Sequence, residues 1–271
     1  MAEWKVPVLV INLAEKPEQY ARVVALAAEF GIPSTCVERL DAVRGSALPD
    51  HERAQYVSLR GRGEIEAGQR ESHQGLPSWG AVGCTLSHMK AWRECVRRNE
   101  TILVLEDDVV FHGGSREWKD TVLDIAQSSG TLWDVCVMRG RHLEGSEASG
   151  VRVLSNPWPR GASFYGTEAY LLSPAGAALL LTQALPINQQ TDFYIQSMAA
   201  YHGLKLADSM SDLAGQMRMK ASSIQQMCIK CHMPNLRASS LLFIVPALLL
   251  CVVWIVRLKG CCQKIASCVK R

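Results

Sequence analysis

The sequence predicts an α/β sandwich with a largely parallel sheet, on three observations. Short apolar runs alternate with helical spacings from Val6 to about Leu206, the pattern of strands buried on both faces between covering helices. No internal repeat or low-complexity tract interrupts that alternation. With 48% hydrophobic and 20% charged positions in 271 residues, there is apolar content for one generous domain or two small ones.

Val6 to Leu13 is a continuous apolar run suited to a buried first strand. Pro17 fits a first helical turn, where its missing N–H costs nothing. Tyr20, Val23, Val24, Ala27 and Phe30 follow at helical spacing until Gly31. Gly45 to Gly80 is polar, rich in Arg, Gly, Ser and Glu and without periodicity, which predicts a long loop or flap. A helix is expected over Cys84 to Arg98, from the stripe Leu86, Met89, Trp92, Cys95 and Val96, with a buried strand from Ile102 to Leu105 directly after it. Ser115 to Gln127 reads as a helix, and Trp133 to Met138 and Tyr165 to Leu172 as strands. Pro174 to Leu185 and Thr191 to Tyr201 read as helices.

Charge is divided unevenly along the chain. The net charge is +3, yet no Asp or Glu follows Asp212, and nine of the 29 basic residues lie beyond it. The first 212 residues therefore hold 20 basic against 26 acidic side chains, a balance of −6. A body this acidic argues against nucleic acid as a partner, because phosphate-backbone affinity comes from Lys and Arg. Cys36, Cys84, Cys95 and Cys136 are scattered through the body and do not read as a disulfide framework.

The tail predicts a membrane anchor. Between Arg237 and Arg257 lie 19 uncharged residues, 238–256, which as a helix reach roughly 28 Å, about the hydrocarbon thickness of a bilayer. The expected organisation is a catalytic body over 1–212, a juxtamembrane linker over 213–237, a transmembrane helix over 238–256 and a basic, Cys-rich tail over 257–271. Cys261, Cys262 and Cys268 among those basic residues suit palmitoylation and anionic headgroups. Cys228-Ile-Lys-Cys231-His232 matches the haem-attachment pattern formally, but it lies in a short linker and reads as ordinary juxtamembrane cysteines. The start, Met1-Ala2-Glu3-Trp4-Lys5, lacks the features of a signal peptide, which favours a tail anchor with a cytosolic body.

The strongest chemical signal is Glu106-Asp107-Asp108 at the end of an apolar strand. Three adjacent carboxylates repel one another, so they call for cations or open solvent. Oxygen-only ligands suit Mg²⁺ or Mn²⁺, and the carboxyl ends of sheet strands are where α/β proteins bind ligands. A solvated acidic turn is the plain alternative.

Gly80-Ala-Val-Gly83-Cys84-Thr-Leu-Ser87-His88-Met-Lys-Ala-Trp92 followed by Leu103-Val-Leu-Glu106-Asp107-Asp108-Val109-Val-Phe111 closely resembles glycosyltransferase family 25. Val10-Ile11-Asn12-Leu13, Asp41-Ala42, the segment from Gly166 to Ala178 and Pro186 to Asp192 extend the resemblance over roughly residues 6–205. It implies a GT-A-like, Rossmann-type domain that moves a hexose, galactose or glucose, from a UDP-sugar to a glycan, glycolipid or protein acceptor with inversion. Glu106, Asp107 and Asp108 would hold Mn²⁺ or Mg²⁺, with Asp108 foremost. Ile11, Asn12 and Leu13 would line the nucleotide pocket, with Arg22 and Ser87 toward the diphosphate. Asp192 is the candidate base, against a reading as a capping acid; His88, with Ser87, would support the acidic loop or contact the diphosphate, against plain capping and packing.

The resemblance to the collagen enzymes of the family places the body in the lumen of the endoplasmic reticulum or Golgi, opposite to the tail-anchor reading. The sequence departs from the family at Ala81, at Gln19-Tyr20 and over 207–220. Two rivals follow: a catalytically silent, membrane-tethered binding or scaffold protein, and another metal-dependent nucleotide-using enzyme.

Overall fold

The strand β1, Val8–Asn12, forms because every one of its five residues can be buried. In the computed structural model, which describes residues 3–140, 145–155 and 166–217, it lies inside the main sheet. The helix α1, Pro17–Glu29, opens on its proline and turns Val23 and Ala27 inward. Strand β2, Val37–Asp41, then returns parallel to β1, with Asn12 opposite Asp41.

Two short helices follow, α2 over Asp50–Tyr56 and α3 over Leu59–Glu66. They correct the expectation of a loop between Gly45 and Gly80. Neither offers a stripe to read, since α2 buries no residue and α3 buries Gly61, Glu64 and Ile65. What holds α3 is polar: the Ser58 hydroxyl accepts the Gly61 N–H, and the buried Glu64 carboxylate accepts the Leu76 N–H at 3.0 Å.

Helix α4, Trp79–Arg98, begins five residues before the expected start at Cys84, capped by the Ser78 hydroxyl on the Ala81 N–H. Its last turn carries Arg97 and Arg98, and Asn99 closes it in the left-handed conformation. Strand β3, Ile102–Glu106, follows directly, then a two-residue turn and β4, Val109–Phe111. Helix α5 spans Ser115–Gln127 as expected, and β5 is the short Val135–Val137. An unpredicted hairpin, β6 over Gly145–Ala148 and β7 over Val151–Leu154, precedes β8, Ala169–Leu172. Helices α6, Pro174–Thr182, and α7, Thr191–His202, lead to β9, Leu206–Ser209, and β10, Ala214–Gln216.

The main sheet is mixed, with order β2-β1-β3-β8-β5-β9-β7-β6, while β4 and β10 pair separately. Strands β1, β2, β3, β5, β6 and β9 run one way; β7 and β8 run against them. The predicted largely parallel direction holds, but the reversed β8 sits directly beside β3.

Side-chain alternation divides the interior into two cores. Leu9, Ile11, Ile102, Val104, Tyr170 and Leu172 face α4 and α6, whereas Val8, Val10, Leu103, Leu105 and Leu171 face α1 and α5. On the second face Phe30, Phe111 and Trp118 form an aromatic cluster, Phe111 and Trp118 with centroids 4.3 Å apart. Among the described residues no helix is long and apolar enough to cross a membrane, and the proposed anchor at 238–256 lies outside them.

At Gly83 the backbone of α4 meets that of residues 43–45. A Cβ there would stand 2.4 Å from the Val43 carbonyl oxygen and 2.5 Å from the Gly45 nitrogen, whereas one at Gly63 in α3 meets nothing within 4 Å. Gly83→Ala is therefore expected to lose about 1–3 kcal/mol in urea unfolding, from overpacking against backbone that cannot yield. Gly63→Ala should gain about 0.5–1 kcal/mol, as alanine in an open helical position does.

Candidate active site

The parallel strands β1 and β3 end side by side, with Ile11 opposite Glu106. The three carboxylates follow at once, and because the chain turns between β3 and β4 they leave in three directions. Glu106 points back toward α4: its Oε1 lies 3.3 Å from His88 Nε2 and accepts the Thr167 hydroxyl at 2.5 Å. Asp107 turns to the first βα unit, where Asn12 Nδ2 donates to Oδ2 at 2.8 Å and Arg22 donates to the backbone carbonyl at 2.8 Å. The Gln19 amide, oriented to donate, reaches Asp107 Oδ2 at 2.7 Å. Asp108 meets β10, where Gln216 Nε2 donates to its Oδ2 at 2.7 Å and the Met217 N–H donates to its carbonyl.

Each of the three acids therefore meets a different set of donors. Their separation also gives them different electrostatics. Burial raises Glu106, but hydrogen bonds from His88 and Thr167 and attraction to His88 outweigh it, so the carboxyl lies below its ordinary value. Asp107 is raised by burial, against the Asn12 hydrogen bond. Asp108 is pushed up to about 6 by burial and by the Glu106 charge, with Gln216 opposing. Its Oδ1 is buried with no hydrogen-bond partner, and so is Asn12 Oδ1.

His88 is fully buried midway along α4. Its Nδ1 shares a hydrogen bond with the Tyr170 hydroxyl at 2.9 Å, and that hydroxyl accepts the Trp92 indole N–H at 3.0 Å. Ser87 is buried too, accepting the Val43 N–H at 2.8 Å and donating to the Gly83 carbonyl at 2.6 Å. It ties α4 to residue 43. Ile11 is buried on the α4 side, opposite Glu106, and Leu13 is half-buried just beyond β1. Arg22 donates from Nη2 to the Asp107 carbonyl.

Asp192 lies in the first turn of α7, at the same end of the sheet. Its Oδ2 accepts the Gly166 N–H at 3.1 Å and its Oδ1 the Phe193 N–H at 2.8 Å. Gly166 has φ +93°, a conformation that glycine adopts without strain. Burial raises the Asp192 carboxyl, the two N–H groups counter it, and Glu106 adds to the rise. The sequence singled out neither Tyr170 and Thr167 nor Gln216 as site residues. Gln19 was legible only as the i−3 neighbour of Arg22 on one helix face. The β4–β10 pairing that brings Gln216 in is non-local and leaves no local signal.

The acidic loop lies beyond the carboxyl ends of the parallel strands β1 and β3, the edge at which open α/β sheets bind ligands. The chain belongs to glycosyltransferase family 25: the family described as glycosyltransferase family 25 (LPS biosynthesis protein) matches residues 5–153. The inactive glycosyltransferase 25 family member 3 of Homo sapiens is 30% identical over 190 residues, 67% of this chain and 30% of that protein. A glycosyltransferase 25 family member of Aedes aegypti is 31% identical over 200 residues, 72% of this chain and 31% of that protein. The chain thus spans about a third of the length of such relatives. The crystal structure of mouse xyloside xylosyltransferase 1 aligns with 78% of this chain and 79% of its own at 10% identity and a TM-score of 0.35, too loosely to carry an argument.

The raised Asp108 carboxyl sets a pH dependence. Unfolded, it ionises near its ordinary 3.8; folded and metal-free, near about 6. The unfolded state releases the proton first, so this group lowers stability as pH rises from about 4 to about 6, and the loss persists above that. In EDTA, Asp108→Asn should raise the melting temperature at about pH 7.5 and leave it unchanged near pH 3.5. Tyr170→Phe strands the buried Trp92 N–H and His88 Nδ1, and should cost about 1–3 kcal/mol in urea unfolding.

Proposed function

We propose that this chain is a metal-dependent, inverting glycosyltransferase of GT-A-like architecture that moves a hexose, galactose or glucose, from a UDP-sugar to a glycan, glycolipid or protein acceptor. The observation that carries the reading is the buried Asp108 Oδ1, which has no partner within hydrogen-bonding reach at the sheet's carboxyl edge. An ionised oxygen without a hydrogen bond calls for a cation, and an oxygen-only donor suits Mn²⁺ or Mg²⁺. Asp108 would hold the ion, with Asp107 beside it steadied by Asn12, Gln19 and Arg22. When bound, such an ion neutralises charge on a departing diphosphate.

The chain's own residues divide the remaining work. Glu106 braces the loop against α4 through His88 and against the segment before β8 through Thr167. Asp192, held in one orientation by two N–H groups and raised by its burial, would take the acceptor hydroxyl's proton. A raised carboxyl is the better base, since its proton affinity lies nearer the working pH. Residues 238–256 would anchor the body to an endomembrane, of the endoplasmic reticulum or Golgi, as a single pass.

A second reading, a catalytically silent binding protein, draws support from Gln216, whose amide already donates to Asp108 Oδ2, and from relatives that carry the word inactive in their names. UDP release decides between them. With a panel of UDP-sugars, the full chain should hydrolyse one donor slowly in Mn²⁺ and none in EDTA. Asp108→Ala should abolish that release, and Asp192→Asn should cut transfer to an acceptor on the order of 10²–10⁴-fold while UDP binding is kept. Absence of release together with absence of thermal stabilisation by UDP and Mn²⁺ would establish the silent reading.

A further inference from the structure

Among the described residues, Cys84, His88 and Glu106 are the one group of three metal-ligating side chains whose donor atoms lie within 4.8 Å of one another. We propose that they form a binding site for a thiophilic divalent cation, Zn²⁺ or its like, separate from the oxygen-lined position at Asp108. Cys84 and His88 stand one turn apart on α4, and Glu106 reaches them from the end of β3. His88 Nε2 and Glu106 Oε1 are 3.3 Å apart. Ligands at about 2.0–2.2 Å in a tetrahedron stand roughly 3.4 Å from each other, so this pair is already at bridging distance.

Each ligand also has a hydroxyl behind it. Tyr170 holds His88 Nδ1 at 2.9 Å and leaves Nε2 toward Glu106; Thr167 donates to Glu106 at 2.5 Å; Thr191 lies 3.8 Å from the Cys84 sulfur. Outer partners of this kind fix ring orientation and ligand direction in protein metal sites. The set of one thiolate, one imidazole and one carboxylate suits Zn²⁺ and not Mg²⁺ or Mn²⁺. Cys84 and Glu106 are only partly buried, which gives an ion a way in, and a fourth position remains for water. The inference rests on these donor atoms and holds whether or not the chain transfers sugar.

The test uses the full chain, solubilised in detergent, with Cys228→Ser and Cys231→Ser to remove the thiols of the tail motif. After loading with Zn²⁺ and dialysis, about one equivalent should remain bound, and X-ray absorption should show one sulfur at about 2.3 Å with nitrogen and oxygen at about 2.0–2.2 Å. Cys84→Ser should remove the sulfur shell and weaken binding at least about tenfold, with Cys36→Ser neutral. Circular dichroism and the melting transition confirm that the variants are folded; should Cys84→Ser fail that check, Glu106→Gln replaces it and should weaken binding by a similar factor. Asp108→Asn should retain the zinc. No retained zinc, a shell without sulfur, a sulfur shell that survives Cys84→Ser, or zinc lost on Asp108→Asn would each overturn the assignment.

Discussion

A single buried imidazole sets the geometry on which the rest of the site depends. His88 has no exposed surface, and both of its nitrogens are engaged, one by the Tyr170 phenol of β8 and one by the Glu106 carboxylate of β3. Two adjacent, oppositely directed strands are thereby fixed to one helix. A buried polar group that loses either partner pays the full cost of desolvation, so α4 has one height and one rotation over the sheet. Gly83 permits that height, because only without a side chain does the helix approach residues 43–45 closely enough.

From this anchoring follows the divergence of the acidic loop. Glu106 is drawn inward to His88, so the chain must turn immediately, and the turn sends Asp107 toward α1 and Asp108 toward β10. Neighbours in sequence become groups with opposite electrostatics: Glu106 lowered by its hydrogen bonds, Asp108 raised by burial and by Glu106 itself. Repulsion among three carboxylates is relieved by giving each its own donors. The partnerless Asp108 oxygen is where that relief remains incomplete.

How much was legible in the sequence varied with how local the cause was. Helix α5 begins and ends where its apolar spacing does, because Trp118, Val122, Leu123 and Ile125 form one inward stripe. Helix α4 was read too short, because glycines at 80 and 83 weaken a helical reading, although Gly83 serves a backbone contact. Helices α2 and α3 were missed altogether, since nearly all their residues are exposed or held by polar contacts and leave no hydrophobic period.

The succession of β1, α1, α4, β3, α5, β5, β8, α6 and α7, the placing of the acidic triplet at a strand's carboxyl end and the family resemblance were determined by sequence alone. They rest on burial period, capping chemistry and a contiguous motif, which are properties of neighbouring residues. The tertiary structure decided which neighbour each acid meets, that Ser87 ties α4 to residue 43, and that Cys84 joins His88 and Glu106. Those outcomes depend on pairings such as β3 with β8 and β4 with β10. Contacts across so many residues arise only when the whole core packs, and no local run of sequence carries their signature.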